Sequence, residues 1–111
     1  MDRFDFLDTS IGLEYCADDE EIYIEVIESY LEEDRTEEVQ ALYEAKNWPE
    51  YRVVVHAIKS TSLTIGAPEL SEKAKALELA SASGDEGYIL ANHDEMVAMY
   101  KDLLGKIKAA L

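Results

Sequence analysis

Helix start and stop signals divide the C-terminal two-thirds of the chain into three segments, each with apolar residues recurring every three or four positions. Asn47 is a good N-cap, and Trp48-Pro49 follows inside a first turn, where proline's missing N–H costs nothing. The helix opened there runs to about Ile65 and stops at Gly66, a residue suited to the left-handed position just past a helix end. Pro68 opens a second helix, which ends near Gly84. A last one runs from about Asp85 to Leu111, with Ile89, Met96, Tyr100, Leu104 and Ile107 on one face. Connections this short make successive helices antiparallel.

Upstream, Asp18 and Glu21 have capping-box spacing, with Asp in place of the usual hydroxyl residue. They predict a helix from about Asp19 to Leu31 with an apolar stripe of Ile22, Tyr23, Val26, Ile27 and Tyr30. The acidic stretch Glu32–Asp34 either bends the chain or continues the helix, and periodicity resumes at Val39, Leu42 and Tyr43 up to Lys46. A short helix or turn fits Thr9 to Cys16, anchored by Ile11, Leu13 and Tyr15. The only β-branched run, Val53-Val54-Val55, lies inside a helical pattern, so nothing reads as a sheet. The expected fold is all-α: an antiparallel up-down four-helix bundle with an additional short N-terminal helix. At 111 residues, 48% of them hydrophobic, residues 1–111 read as one domain around one core.

The formal charge of −15 argues against nucleic acid, where binding rests on basic side chains displacing counterions, and disfavours anionic membranes by the same sign. No stretch approaches the roughly 18 apolar residues of a membrane span. The start, MDRFDFLDTS, is too acidic for a secretory signal, so a soluble, cytoplasmic protein is expected. The single cysteine, Cys16, has no basic neighbour and reads as a buried, inert thiol.

On a helical wheel at 100° per residue, Val54, Ile58, Thr61 and Ile65 fall within roughly 60° and should face the core. His56 points the other way, together with Arg52, Val53, Lys59, Ser60 and Leu63. Neutral imidazole is a competent nucleophile near pH 7, its ordinary pKa being about 6.5. Lys59 at i+3 and Arg52 at i−4 would set a local positive spot beside it, suited to a phosphoryl group. Ser60 is small and leaves the ring open, and Val53 and Leu63 would give a docking partner an apolar rim. An ordinary exposed histidine with incidental basic neighbours would carry the same pattern. His93 shares a stripe with Ile89, Met96 and Tyr100 and reads as a partly buried structural histidine. Trp48 should anchor the turn between two helices.

The run His56-Ala57-Ile58-Lys59-Ser60-Thr61-Ser62-Leu63-Thr64-Ile65-Gly66 resembles the signature of histidine-containing phosphotransfer (HPt) domains. In that family a histidine is followed by lysine at +3, a small residue at +4 and often glycine at +10. The resemblance continues through Ala67-Pro68-Glu69-Leu70 and Ala74-Lys75-Ala76-Leu77-Glu78, through Asn47-Trp48 upstream, and through the acidic-hydrophobic helix from Asp19 to Leu31. It implies that His56 is the phosphorylated residue and Lys59 its electrostatic partner. It also places Glu78 where family members often put a side chain that hydrogen-bonds one imidazole nitrogen. Most relatives have glycine where this chain has Ser60, which is still small enough to keep access.

The resemblance further implies reversible transfer between His56 and an aspartate of a response-regulator receiver domain, alone or within a hybrid sensor histidine kinase. The receiver would supply Mg²⁺, and no cofactor of this chain's own is expected. Without GxGxxG or a P-loop, ATP-dependent autophosphorylation is not expected either. A monomer suits a site that must reach two partners in turn. Two other classes share this architecture. A di-iron bundle wants Glu-x-x-His pairs, but Val53 and Leu90 stand three residues before His56 and His93. A non-phosphorylated adaptor or docking module with the same fold is the alternative, and it has no need of His56 or Lys59.

Overall fold

Residues 1–111, described by a computed structural model, form a 3-10 turn at Asp2–Phe4 and six α-helices: α1 (Thr9–Tyr15), α2 (Glu20–Glu32), α3 (Thr36–Glu44), α4 (Trp48–Thr64), α5 (Pro68–Ser83) and α6 (Glu86–Ala110). There is no strand, and the all-α bundle expected from the sequence is the observed fold. Asn47 caps α4 by accepting the Glu50 N–H, Asp85 caps α6 by accepting that of Tyr88, and Pro68 stands in the first turn of α5. The cap of α2 is Asp19, whose carboxylate accepts the N–H groups of Glu21 and Ile22 at 3.0 and 3.2 Å. Asp18 instead lies outside the helix at φ +60°, so the capping-box reading of Asp18 and Glu21 is displaced by one residue.

Glu32–Asp34 bends the chain. The Glu33 N–H closes α2 on the Ser29 carbonyl, the Asp34 carboxylate takes the Thr36 N–H at 2.8 Å, and the Tyr100 hydroxyl takes that of Arg35 at 3.0 Å. With the local backbone groups satisfied this way, a new helix starts rather than the old one continuing. α2 and α3 together make one broken rod antiparallel to α6. Tyr30 packs edge-on against Tyr100, Gln40 bonds His93, and Lys46 pairs with Glu86. The four rods are therefore α2–α3, α4, α5 and α6, alternating in direction, with α1 laid against α4.

α4 lies near the centre, packed on α1, α3 and α5. Its buried face is accordingly broader than a single stripe. Tyr51, Val55 and Ser62 join Val54, Ile58 and Ile65 in the core, whereas Thr61 is only half-buried and bonds back to the Ala57 carbonyl at 2.8 Å. Tyrosines supply much of the core's bulk, and their hydroxyls are partnered. Tyr23 donates to the Ile65 carbonyl at 2.6 Å, and Tyr30 meets the Ser62 hydroxyl at 2.8 Å. No buried side-chain polar atom lacks a partner, as close-packed interiors require.

The N-terminal segment closes one end of the bundle. Phe4 and Leu7 are buried, and the Asp8 N–H bonds the Gly66 carbonyl at 2.7 Å. Gly66 sits at φ +92°, and a Cβ there would come within 2.2 Å of the Asp8 carbonyl oxygen. Cys16 is buried too; burial, then the nearby Asp19 charge, push its thiol pKa up, away from reactivity. No helix is long and apolar enough to cross a membrane.

Candidate functional site

His56 sits midway along α4 on the face turned away from the core, with 59% of its side chain exposed. Directly across from it on α5 is Glu78, only 14% exposed. One carboxylate oxygen of Glu78 takes the Nδ1 of His56, and the other accepts from Lys59 Nζ at 2.8 Å. The three side chains thus share one carboxylate bridging two helices. Their register is held by Ser71, whose hydroxyl on α5 donates to the Lys59 carbonyl at 2.9 Å.

The charge state of the bridge follows from its surroundings. Partial burial pushes the Glu78 carboxyl up, but the hydrogen bonds from Lys59 and His56, with their charges, outweigh it. The pKa ends below the ordinary carboxylate value, and Glu78 is an anion at neutral pH. An ionised carboxylate only accepts hydrogen bonds, so Nδ1 must carry the proton. With Nδ1 as the donor, the ring's lone pair for attack is the one at Nε2, to which no protein group is bonded.

Pro49, Arg52, Val53, His56 and Glu78 line one shallow depression. Arg52 is exposed and in no ion pair, and Val53 is 61% exposed at the rim. Ser60 lies on the other flank of His56, where it lines a groove between α2 and α4. Leu63 is half-buried and lines neither feature. The structure therefore gathers His56, Lys59, Glu78, Arg52 and Val53 at one place, leaves Ser60 beside it, and sets Leu63 apart.

Lys59 differs from its expected part in a free positive spot, because its charge is engaged by Glu78. Sequence periodicity also missed the α2 side of the surroundings. Ile22 and Val26 were expected in the core stripe, yet Ile22 is 45% exposed and Val26 half-buried, both lining the groove. The other three residues of that stripe, Tyr23, Ile27 and Tyr30, face inward as expected.

His93 is no competitor for the exposed chemistry. It is fully buried in α6, stacked 3.7 Å from the Tyr43 ring, with Nε2 bonded to Gln40 Oε1 and Nδ1 to the Tyr51 hydroxyl, each at 2.8 Å. Burial lowers its pKa, so the ring is neutral. Trp48 anchors the α3–α4 turn edge-on against Tyr51.

Compared with protein-family models, the sequence matches the Hpt domain over residues 16–110, nearly its whole length and all four rods. The chain belongs to the Hpt domain family. Membership gives it a phosphotransfer-related role in two-component signalling. Neither a curated protein nor a solved structure is similar enough to add to this. The match begins after the 3-10 turn and α1, so the N-terminal cap on Gly66 lies outside the part of this Hpt domain that the family model covers.

Proposed function

We propose that the chain is a phosphoryl carrier of a phosphorelay, holding the group on Nε2 of His56 between two aspartates of receiver domains. The observation that carries this reading is the Glu78 bond to Nδ1, which leaves Nε2 as the unbonded nitrogen of a ring whose side chain is 59% exposed. In the forward step the Nε2 lone pair attacks the phosphorus of an aspartyl phosphate. The N–P bond forms as the P–O bond breaks, and that electron pair returns to the aspartate carboxylate. The ring becomes cationic with its proton still on Nδ1, and the Glu78 carboxylate balances the new charge. The reverse step returns a neutral imidazole, so no proton need enter or leave in either direction.

In this scheme the receiver supplies the aspartate and Mg²⁺, and this chain supplies a positioned nucleophile, in keeping with phosphoryl transfer being mostly placement and electrostatics. Lys59 acts through Glu78, holding the carboxylate ionised and in place. Arg52 is the unpaired cation of the same depression and is suited to the phosphoryl oxygens. Receiver domains, free or within a sensor kinase, are the proposed partners, and Val53 with Arg52 belongs to the docking rim.

The test is transfer from a phosphorylated receiver with Mg²⁺, comparing wild type with His56→Gln. Acid-labile, base-stable label on the wild type and none on the variant is the expected result. No label from several receivers or from a small phosphoramidate would leave the non-phosphorylated docking module in its place. Label persisting on His56→Gln would mean that another residue carries it.

A further inference from the structure

Of the serine and threonine hydroxyls of α4, all but one are engaged within the protein. Thr61 donates to the Ala57 carbonyl at 2.8 Å, Thr64 to the Ser60 carbonyl at 2.9 Å, and Ser62 meets the Tyr30 hydroxyl at 2.8 Å. The Ser60 hydroxyl has no protein partner, although the His56 carbonyl one turn back is placed for the bond that Thr61 and Thr64 make. Ser60 is exposed and stands at i+4 from His56, so their Cβ atoms are about 5–6 Å apart. Helical side chains lean toward the N-terminus, which tips the Ser60 hydroxyl over the turn that carries the imidazole. The ring adds a direction. Its two nitrogens flank one carbon, and their bonds point apart. Glu78 engages Nδ1 from α5, so a group on Nε2 extends away from α5. Ser60 lies on that flank of α4, lining the groove beside α2, whereas the Lys59 ammonium is held on the α5 side by Glu78.

We infer that Ser60 is a phosphoryl-binding residue: its hydroxyl donates to an oxygen of the phosphoryl group on Nε2 of His56 and prolongs the life of the phosphorylated state. The inference rests on the carrier reading of His56. A serine hydrogen rotates to suit its acceptor, and an anionic phosphoryl group supplies strong acceptors where the bare ring supplies none on that side. The bond therefore forms after the group arrives. It opposes spontaneous loss, in which water's oxygen bonds to phosphorus as the N–P pair withdraws to Nε2, leaving neutral imidazole and dihydrogen phosphate. The transition state of that step is loose and metaphosphate-like, with less charge on the phosphoryl oxygens than the phosphorylated ground state. A donor to those oxygens is then bound more strongly before the step than during it, and the step slows.

In the experiment, the full chain is labelled at His56 with a small phosphoramidate, freed of the donor, and followed without receiver or Mg²⁺. Ser60→Ala should lose label about three- to tenfold faster than wild type, the range for one hydrogen bond to a charged group at an exposed site. Ser60→Thr keeps the hydroxyl and should stay within about twofold of wild type. Ser29→Ala deletes another exposed, unpartnered hydroxyl of the same groove and should decay as wild type does. Phosphorus NMR supplies a second readout. A donor to the charged form lowers the pH at which the phosphoryl group takes up a proton, so Ser60→Ala should titrate at higher pH than wild type. Equal decay and equal titration for Ser60→Ala and wild type would overturn the inference and leave the carrier reading standing, since label on His56 would have been seen. Ser60→Thr decaying as fast as Ser60→Ala would overturn it too, because the hydroxyl would then have no part. If no protein of the set takes label at His56, the carrier reading falls and the inference with it.

Discussion

A single carboxylate decides what the exposed imidazole can do. Glu78 fixes the tautomer by position and balances the ring by charge, and the two contributions separate by substitution. Glu78→Gln retains an acceptor for Nδ1 but loses the charge and the charge-assisted bond to Lys59. Hydrogen bonds to charged groups exceed neutral ones by about 1 kcal/mol, so phosphotransfer should slow about five- to tenfold. Glu78→Ala, which removes the acceptor as well, should slow it further, as a rapid-quench time course would show; equal rates for all three proteins would leave Glu78 a spectator. Since the folded carboxyl titrates below its ordinary value, the unfolded chain binds the proton first as pH falls. The bridge's stabilisation is thus complete above about pH 4.5 and is lost on acidification through the lower folded value. Only part of this was legible in the sequence. Lys59 is within a turn of His56, so its proximity could be read from spacing. Its capture by Glu78 depends on how α5 is registered against α4, which the Ser71 bond fixes and no local pattern encodes.

Buried polar contacts tie the helices together here in addition to the apolar core. His93 joins α3, α4 and α6 through Gln40, Tyr43 and Tyr51. Its pKa is lowered by burial, so between about pH 6.5 and its lower folded value the unfolded chain binds a proton that the folded chain does not. Folding stability should therefore fall as pH drops below about 6.5, and His93→Phe should abolish this ring's share of that slope. The same variant leaves Tyr51 and Gln40 without their partner, costing about 2–4 kcal/mol in denaturant unfolding. At the other end of α4, Gly66→Ala should destabilise by about 2 kcal/mol or more, since it combines an unfavourable positive φ with a clash against the Asp8 backbone. A cost within a few tenths of a kcal/mol would show that the N-terminal cap yields easily. Helix boundaries set by Asn47, Gly66, Pro68 and Asp85 were legible because caps and breakers act locally. The breadth of the α4 core face was not, because Tyr51, Val55 and Ser62 flank the Val54–Ile58–Ile65 stripe and are buried by the packing of α4 on several other helices.

The charge of the whole molecule acts against its own compactness. A net −15 on a chain with ten cations leaves most carboxylates unpaired, and most of the ion pairs that exist are exposed and contribute little each. The fold tolerates this because its core is continuous across all four rods and its charges sit on the outer faces. Composition made the repulsion legible; it could not say that α2 would carry so much of it unrelieved. Screening should therefore stabilise the protein. Raising NaCl from about 10 mM to about 0.5 M shortens the Debye length from about 30 Å to roughly 4 Å. That weakens repulsion across the surface more than it weakens the few close pairs. A gain of about 1 kcal/mol would raise Tm by about 4–8 °C, readable by circular dichroism. Replacing Glu28 and Glu32 of α2 by glutamine should raise Tm at low salt and flatten the salt response, because both act on the same repulsion. A Tm that instead fell with NaCl would mean that the Lys59–Glu78 and Lys73–Glu95 pairs outweigh the repulsion, and that this acidic surface is balanced rather than strained.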